Sequence, residues 1–322
     1  MKFGDARGTP SGQPKSSTTS TACLIGFNVN FQSPTVRGHL AMLLFSALVA
    51  GSFALGARAA NLIDPAALNA VRFMLASLII GTIVFVGPGI KRRDISAPWR
   101  YLVLGGLFAV YFVTMFEGLK TAAPVSASAV FTLTPVLSAG FGWLLLRQVT
   151  TPRMAAALIL AAGGAVWVIF RGDVDAIIVF QIGRGEMIFF IGVVAHALYT
   201  PLIKLLNRGE KPLVFTLGMM VAGFILLSIY GAESLLETDF TSLPPIVWIT
   251  LAYITIFASA TTFFLLQYAA MHLKAAKVMA YTYLVPAWVI AWEIALGGPM
   301  ISAAIMAGIA AVIVALLMLL AD

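Results

Sequence analysis

Charge is what this sequence has least of. Only 10% of its 322 residues are Asp, Glu, Lys or Arg, against about 25% in a typical soluble domain. A water-exposed surface of this size cannot be covered by so few charges, which excludes an ordinary soluble globule. Cysteine is nearly absent as well. The one residue, Cys23, rules out an internal disulfide. No CxxC, HExxH or P-loop signature is present, so neither a bound metal nor ATP is implied, and no cofactor is expected.

Hydrophobic residues make up 61% of the chain, and the mean hydropathy is +0.98. Ten apolar segments stand out, at about residues 39–57, 67–86, 101–119, 124–145, 153–170, 186–204, 213–230, 245–269, 277–296 and 301–320. Each approaches the roughly 20 residues that cross a bilayer as a helix. The expected fold is therefore all-α, a polytopic membrane protein of ten transmembrane helices. Short polar turns such as NLIDP, RQVTTPR and NRGEKP join neighbouring helices.

The net charge of +7 is carried by loops. With the N-terminus inside, Lys91, Arg92, Arg93, Arg100, Arg147, Arg153, Lys204, Arg208, Lys211, Lys274 and Lys277 fall on the inner side with the tail's own basic residues. Arg58, Lys120, Arg171 and Arg184 fall outside, and Arg72 lies within a span. Such a bias marks the cytoplasmic face. It places both termini in the cytoplasm, assigns the basic residues to loops rather than to nucleic acid, and puts Glu233, Glu237 and Asp239 outside. Residues 1–37 are rich in Ser, Thr, Gly, Pro and Gln and read as a disordered cytoplasmic tail.

The two halves of the chain resemble each other. With a shift of 151, Pro135 falls on Pro286, Leu133 on Leu284 and Ala129 on Ala280. Nearer the start of each half, Asp64-Pro65 compares with Glu210-Lys211-Pro212. The division is a first five-helix repeat at 38–170, an extracytoplasmic linker at 171–185 and a second repeat at 186–320. Five spans are an odd number, so the second copy lies inverted in the membrane, the design of many alternating-access carriers. Pro135 and Pro286 would then be symmetry mates. Each frees a helix carbonyl and offers a bending point, although proline is also simply tolerated in membrane helices.

The block GLKTAAPVSASAVFTLTPVLSAGFGWLLLRQVTTPRMAAALILAAGGAVWVI carries a family likeness. Leu119-Lys120 precedes a small-residue run, Pro135 stands in mid-span, and Gly163-Gly164 lies in the following helix. Over residues 38–320 the chain resembles the EamA-like branch of the drug/metabolite transporter superfamily. Arg147 and Gly298 stand where the family usually has glutamate, which bears on subfamily more than on fold. The resemblance implies a ten-helix carrier of the inner membrane, with a central cavity lined by both halves. It also implies small-metabolite substrates, amino acids among them, often exported.

Polar side chains within spans are the handles on a site. His196, near the middle of the sixth span, is a candidate proton or substrate group; alternatively it is a neutral histidine donating to a helix carbonyl. Arg72 would suit a carboxylate substrate, or it snorkels outward to Asp64. Glu117 pairs with Lys120 or sits at a cavity mouth. Glu293 is a proton or charge site or an interfacial group. Gln267 is placed in an inner vestibule. Tyr281, Val285, Trp288 and Trp292 share one helical face by spacing, for stacking a substrate or for meeting lipid. Ser128 and Thr132 line the pore or bond back to their own helix.

The resulting expectation is a secondary transporter, with a channel or a lipid-modifying membrane enzyme as the alternatives. Its partners are a small-molecule metabolite, membrane lipid and, through His196 or Glu293, protons as a coupling option. It acts as a monomer or weak dimer.

Overall fold

The computed structural model describes residues 33–179, 182–298 and 300–320, with two short strands, β1 (Cys23–Leu24) and β2 (Phe27–Asn28), paired antiparallel. The remainder of the tail expected to be disordered lies outside the described residues.

Apart from turns and loops, the other elements among the described residues are helical. The first half contains α1 (Pro34–Ala59), α2 (Pro65–Val86), α3 (Trp99–Leu119), α4 (Pro124–Phe131), α5 (Thr134–Leu146) and α6 (Pro152–Ile169). A short helix α7 (Val174–Ile178) follows. The second half contains α8 (Arg184–Leu206), α9 (Pro212–Tyr230), the short α10 (Ala232–Glu237) and α11 (Pro245–Thr255). After a π-helical turn at Ile256–Thr261 comes α12 (Thr262–His272). Then follow α13 (Ala275–Ala280), a 3₁₀ turn at Tyr281–Leu284, α14 (Val285–Ala295) and α15 (Ala303–Leu320).

Proline sets many of these starts. α1, α2, α4, α5, α6, α9, α11 and α14 all carry it in the first two helical positions, where its missing N–H costs nothing and its fixed φ suits the helix. This is why α1 starts at Pro34, ahead of the expected residue 39. Asp64 and Thr151 add side-chain caps, on Ala66 and Ala67 N–H and on Met154 N–H respectively.

Among the described residues, nine helical segments are long and apolar enough to cross a membrane. A tenth apolar stretch, Ala303–Met318, is shorter. The protein is thus an all-α polytopic membrane protein. The fourth and ninth spans are not kinked single helices but pairs of helices, α4 with α5 and α13 with α14, each restarted at its proline.

The packing partners follow a pattern. α3 lies along α8, and α1 lies along α11 and α12. α5 packs on α8, and α14 on α1. α2 packs on α9, and α6 on α15. α3 also packs on α9. The α6–α15 contact brings backbones together as small-residue spans allow: a Cβ on Gly164 would meet the Gly308 carbonyl oxygen at 2.8 Å. The core is aromatic, with Phe53, Phe73, Phe108, Phe131, Phe189, Phe215 and Phe263 buried.

Candidate functional site

Inside the bundle is a small cavity walled by both halves. Phe45, Val49 and Ser52 come from α1, and Phe108, Tyr111, Phe112 and Met115 from α3. His196 comes from α8, Ala258 from the π turn, and Thr262 and Phe263 from α12. Its volume is about 10 Å³, room for about one water molecule.

His196 is 1% exposed, and its Nδ1 has no hydrogen-bond partner. Its ring stacks on Tyr111 with centroids 4.6 Å apart, meets Phe108 edge-on at 5.3 Å and lies 5.1 Å from Phe131. Ser52 Oγ, on the same cavity wall, is also buried without a partner. An unsatisfied buried polar atom costs on the order of 1–3 kcal/mol, and in a native fold each one calls for an explanation. Two of them on one cavity point to a ligand or water that satisfies them.

Arg72 stands one layer behind this wall, fully buried. Its guanidinium lies over the Phe112 ring, 3.6 Å from the centroid. Nε donates to Ser259 Oγ at 2.5 Å, Nη2 to the Ala258 carbonyl at 2.7 Å and Nη1 to Asn69 Oδ1 at 3.3 Å. The π turn makes this arrangement possible. Thr262 N–H bonds to Ser259 O, so the Ala258 carbonyl is left for the arginine. No carboxylate pairs with Arg72 among the described residues. Of the two alternatives, the outward snorkel to Asp64 does not occur: Arg72 is fully buried, and Asp64 Oδ1 caps α2.

The other sequence candidates separate. Ser128 Oγ donates to Val125 O at 2.7 Å and Thr132 Oγ1 to Ala129 O at 2.6 Å, so both bond back to their own helix. Gln267 is buried away from the cavity wall, with Nε2 3.4 Å from the Tyr199 hydroxyl, which donates to Met219 Sδ. Glu117 makes the local pair with Lys120, at 2.6 Å. Glu293 is paired with Arg58 at 2.8 Å, joining the C-terminal ends of α14 and α1. Pro135 and Pro286 are both buried at helix starts.

The four residues spaced as one face do not form one. Tyr281 and Val285 are buried, Trp292 is half-buried against Tyr253, and Trp288 is 41% exposed, off the buried face of α14. Val285, Trp288 and Trp292 all lie in α14, and at about 100° per residue Trp288 falls roughly 60° to one side of Val285, away from the buried Val289 and Ile290. The 3₁₀ turn shifts only Tyr281 relative to them. Tyr281 instead meets His39 Nδ1 at 3.0 Å.

Sequence reasoning did not pick out Ser52, Tyr111 or the π turn. It also missed the ion pair between Arg100 and Glu210, 2.6 Å apart with side chains 1% and 3% exposed. Arg100 further donates to the carbonyl of Leu206 at the end of α8. Burial works to raise the Glu210 carboxyl, but the Arg100 guanidinium and the Arg208 N–H outweigh it and hold the group below the usual glutamate range. At the same end of the bundle, Lys204 Nζ donates to the Leu273 carbonyl. The only sequence cue to such pairs was a charged residue beside a span.

The EamA-like transporter family matches the chain twice, over residues 36–170 and 183–321. The chain is 27% identical over 264 residues to the uncharacterized transporter YyaM of Bacillus subtilis strain 168, covering 81% of this chain and 86% of that one. It is 26% identical over 253 residues to an uncharacterized transporter of Archaeoglobus fulgidus, covering 78% and 86%. A crystal structure with 19% sequence identity superposes with a TM-score of 0.65 over 88% of this chain and 95% of the other, a likeness of fold. The family match and these relatives define a membrane transport protein. This chain belongs to the EamA-like transporter family, within the drug/metabolite transporter superfamily, and its function is transport across a membrane.

Proposed function

We propose that the protein is a secondary carrier that moves a small organic metabolite, an amino acid or a related compound, outward across the cytoplasmic membrane by alternating access. Both termini face the cytoplasm, and ten spans form two inverted five-helix repeats. The observation that carries this reading is the pair of unsatisfied buried polar atoms, His196 Nδ1 and Ser52 Oγ, in one cavity walled by both halves.

Three further features support it. With α1 matched to α8 and α3 to α11 and α12, the packing of α3 on α8 exchanges with that of α1 on α12, as an inverted repeat would have it. The cavity holds about one water, so a metabolite enters only when the halves move apart. The aromatic wall suits an organic solute, and Arg72, one ring behind it, suits a carboxylate that arrives as Phe112 turns aside. His196 is the first choice for a coupling proton, since Glu293 is already held by Arg58.

The test is efflux from proteoliposomes loaded with a labelled amino-acid mixture, with and without a pH gradient. Wild type should release a subset of the mixture, and His196→Ala and Ser52→Ala, inserted to equal levels, should release it at least tenfold more slowly. Unchanged efflux in both variants would overturn the site. Ion currents in single-channel recording would favour a channel instead.

A further inference from the structure

A hollow far larger than the central cavity is a groove of about 910 Å³ between α2, α3 and α9. Gly81, Phe85, Tyr101, Leu217, Gly218 and Ile225 are among the residues that line it, and Leu78, Phe85, Val86 and Ile95 are exposed along it. We propose that this groove binds one anionic phospholipid, with an acyl chain along α9 and the phosphate at Lys91 and Arg92.

Length, depth and charge fit that occupant. Along α9 the lining runs from Val214 to Ile225, about 16 Å at 1.5 Å per residue. That is roughly half of a 30 Å hydrocarbon layer, the depth of a single leaflet. The groove has a floor because small residues let the helices approach. A Cβ on Gly218 would lie 2.8 Å from the Tyr101 ring, whereas one on Gly81 would find only Leu217, at 3.7 Å, and otherwise open space.

The polar end is equally specific. The loop after α2 supplies Ile90, Asp94 and Ile95 to the groove, and between them stand the exposed Lys91, Arg92 and Arg93. Asp94 adds no free negative charge. Its Oδ2 accepts the Lys91 N–H at 2.8 Å, and its Oδ1 lies 3.6 Å from Arg93 Nε. Tyr101 turns its hydroxyl onto the Asp94 carbonyl. The side chains of Lys91 and Arg92 are in no ion pair among the described residues. Clustered cations just outside the hydrocarbon attract anionic headgroups, and Trp99, 51% exposed on the same loop side, suits the interface. In the proposed orientation this is the cytoplasmic leaflet.

Thermal unfolding of the detergent-purified protein tests the proposal, with phosphatidylglycerol, phosphatidylcholine or inorganic phosphate added. Phosphatidylglycerol should raise the midpoint by several degrees in a saturable way, and the other two should not. The double variant Lys91→Gln/Arg92→Gln and the groove-filling Gly81→Phe should each lose that increment, while Arg147→Gln keeps it. Equal protection by both lipids, protection by phosphate alone, or equal loss in Arg147→Gln would overturn the proposal. Native mass spectrometry of wild type gives a readout independent of the variants' folding. One retained phosphatidylglycerol in preference to phosphatidylcholine is expected, and no preference contradicts the site.

Discussion

The two proline breaks occupy matching places in the two halves and are finished differently. In the first, Pro135 has no amide hydrogen for the Phe131 carbonyl, and Thr134 Oγ1 donates to that carbonyl instead, at 2.5 Å. Thr132 and Ser128 close two more carbonyls in the same way, and Ser138 Oγ ties α5 to the Ala197 carbonyl of α8 at 2.9 Å. In the second break, Val285 stands where Thr134 stood. The chain tightens into a 3₁₀ turn, and Thr282 Oγ1 and Tyr283 hydroxyl are buried without partners. One break is internally complete. The other holds polar groups whose partners are not in this conformation, which makes α13–α14 the element expected to rearrange during transport.

Substitutions can break or sharpen that contrast, and the largest effect sets its scale. Glu210→Gln, which leaves the buried Arg100 without its counter-charge, should lower stability by about 3–5 kcal/mol, seen as a depressed melting midpoint in detergent. The same pair gives a pH signature. Because the Glu210 carboxyl sits below its ordinary range when folded, its contribution is complete above the ordinary glutamate value and disappears as pH falls through the lowered one. Wild type should lose stability over that acidic window, and Glu210→Gln should lack this component.

Next in size, Thr134→Val strips the Phe131 carbonyl of its donor and should cost about 1–2 kcal/mol. Tyr283→Phe is the mirror experiment in the second half. It removes a hydroxyl that has no partner, so it should leave the melting midpoint unchanged or raise it, by up to about 1 kcal/mol, while slowing efflux. If Tyr283→Phe destabilises as much as Thr134→Val, the two breaks are equivalent and the contrast fails.

Much of the fold was legible because a bilayer permits few solutions. Apolar runs, short polar turns and loop charges located the helices to within a few residues, and the helix-starting prolines Pro65 and Pro212 fell where the half-to-half comparison aligned them. The site was less legible. His196 announced itself as a lone titratable group in mid-span, and Arg72 did likewise. Ser52 did not, since a serine among alanines and glycines looks like packing. The side on which Trp288 lies was not legible because spacing by three and four marks a stripe but not which flank of the helix is buried, and the buried face of α14 runs through Val285, Val289 and Ile290. The Arg58–Glu293 and Arg100–Glu210 pairs join residues far apart in the chain, and periodicity carries no information on such contacts.

The central claim is that the Ser52–His196 cavity opens alternately to the two sides. In a Cys23→Ser background, Ser52→Cys can be challenged with an impermeant maleimide applied to either face of sealed vesicles. Modification from each face in turn is expected, with loss of access from the Arg58–Glu293 end alone once Arg58→Cys and Glu293→Cys have been bridged by a short crosslinker. Modification from both faces that is unaffected by the bridge, or from neither face, would contradict it.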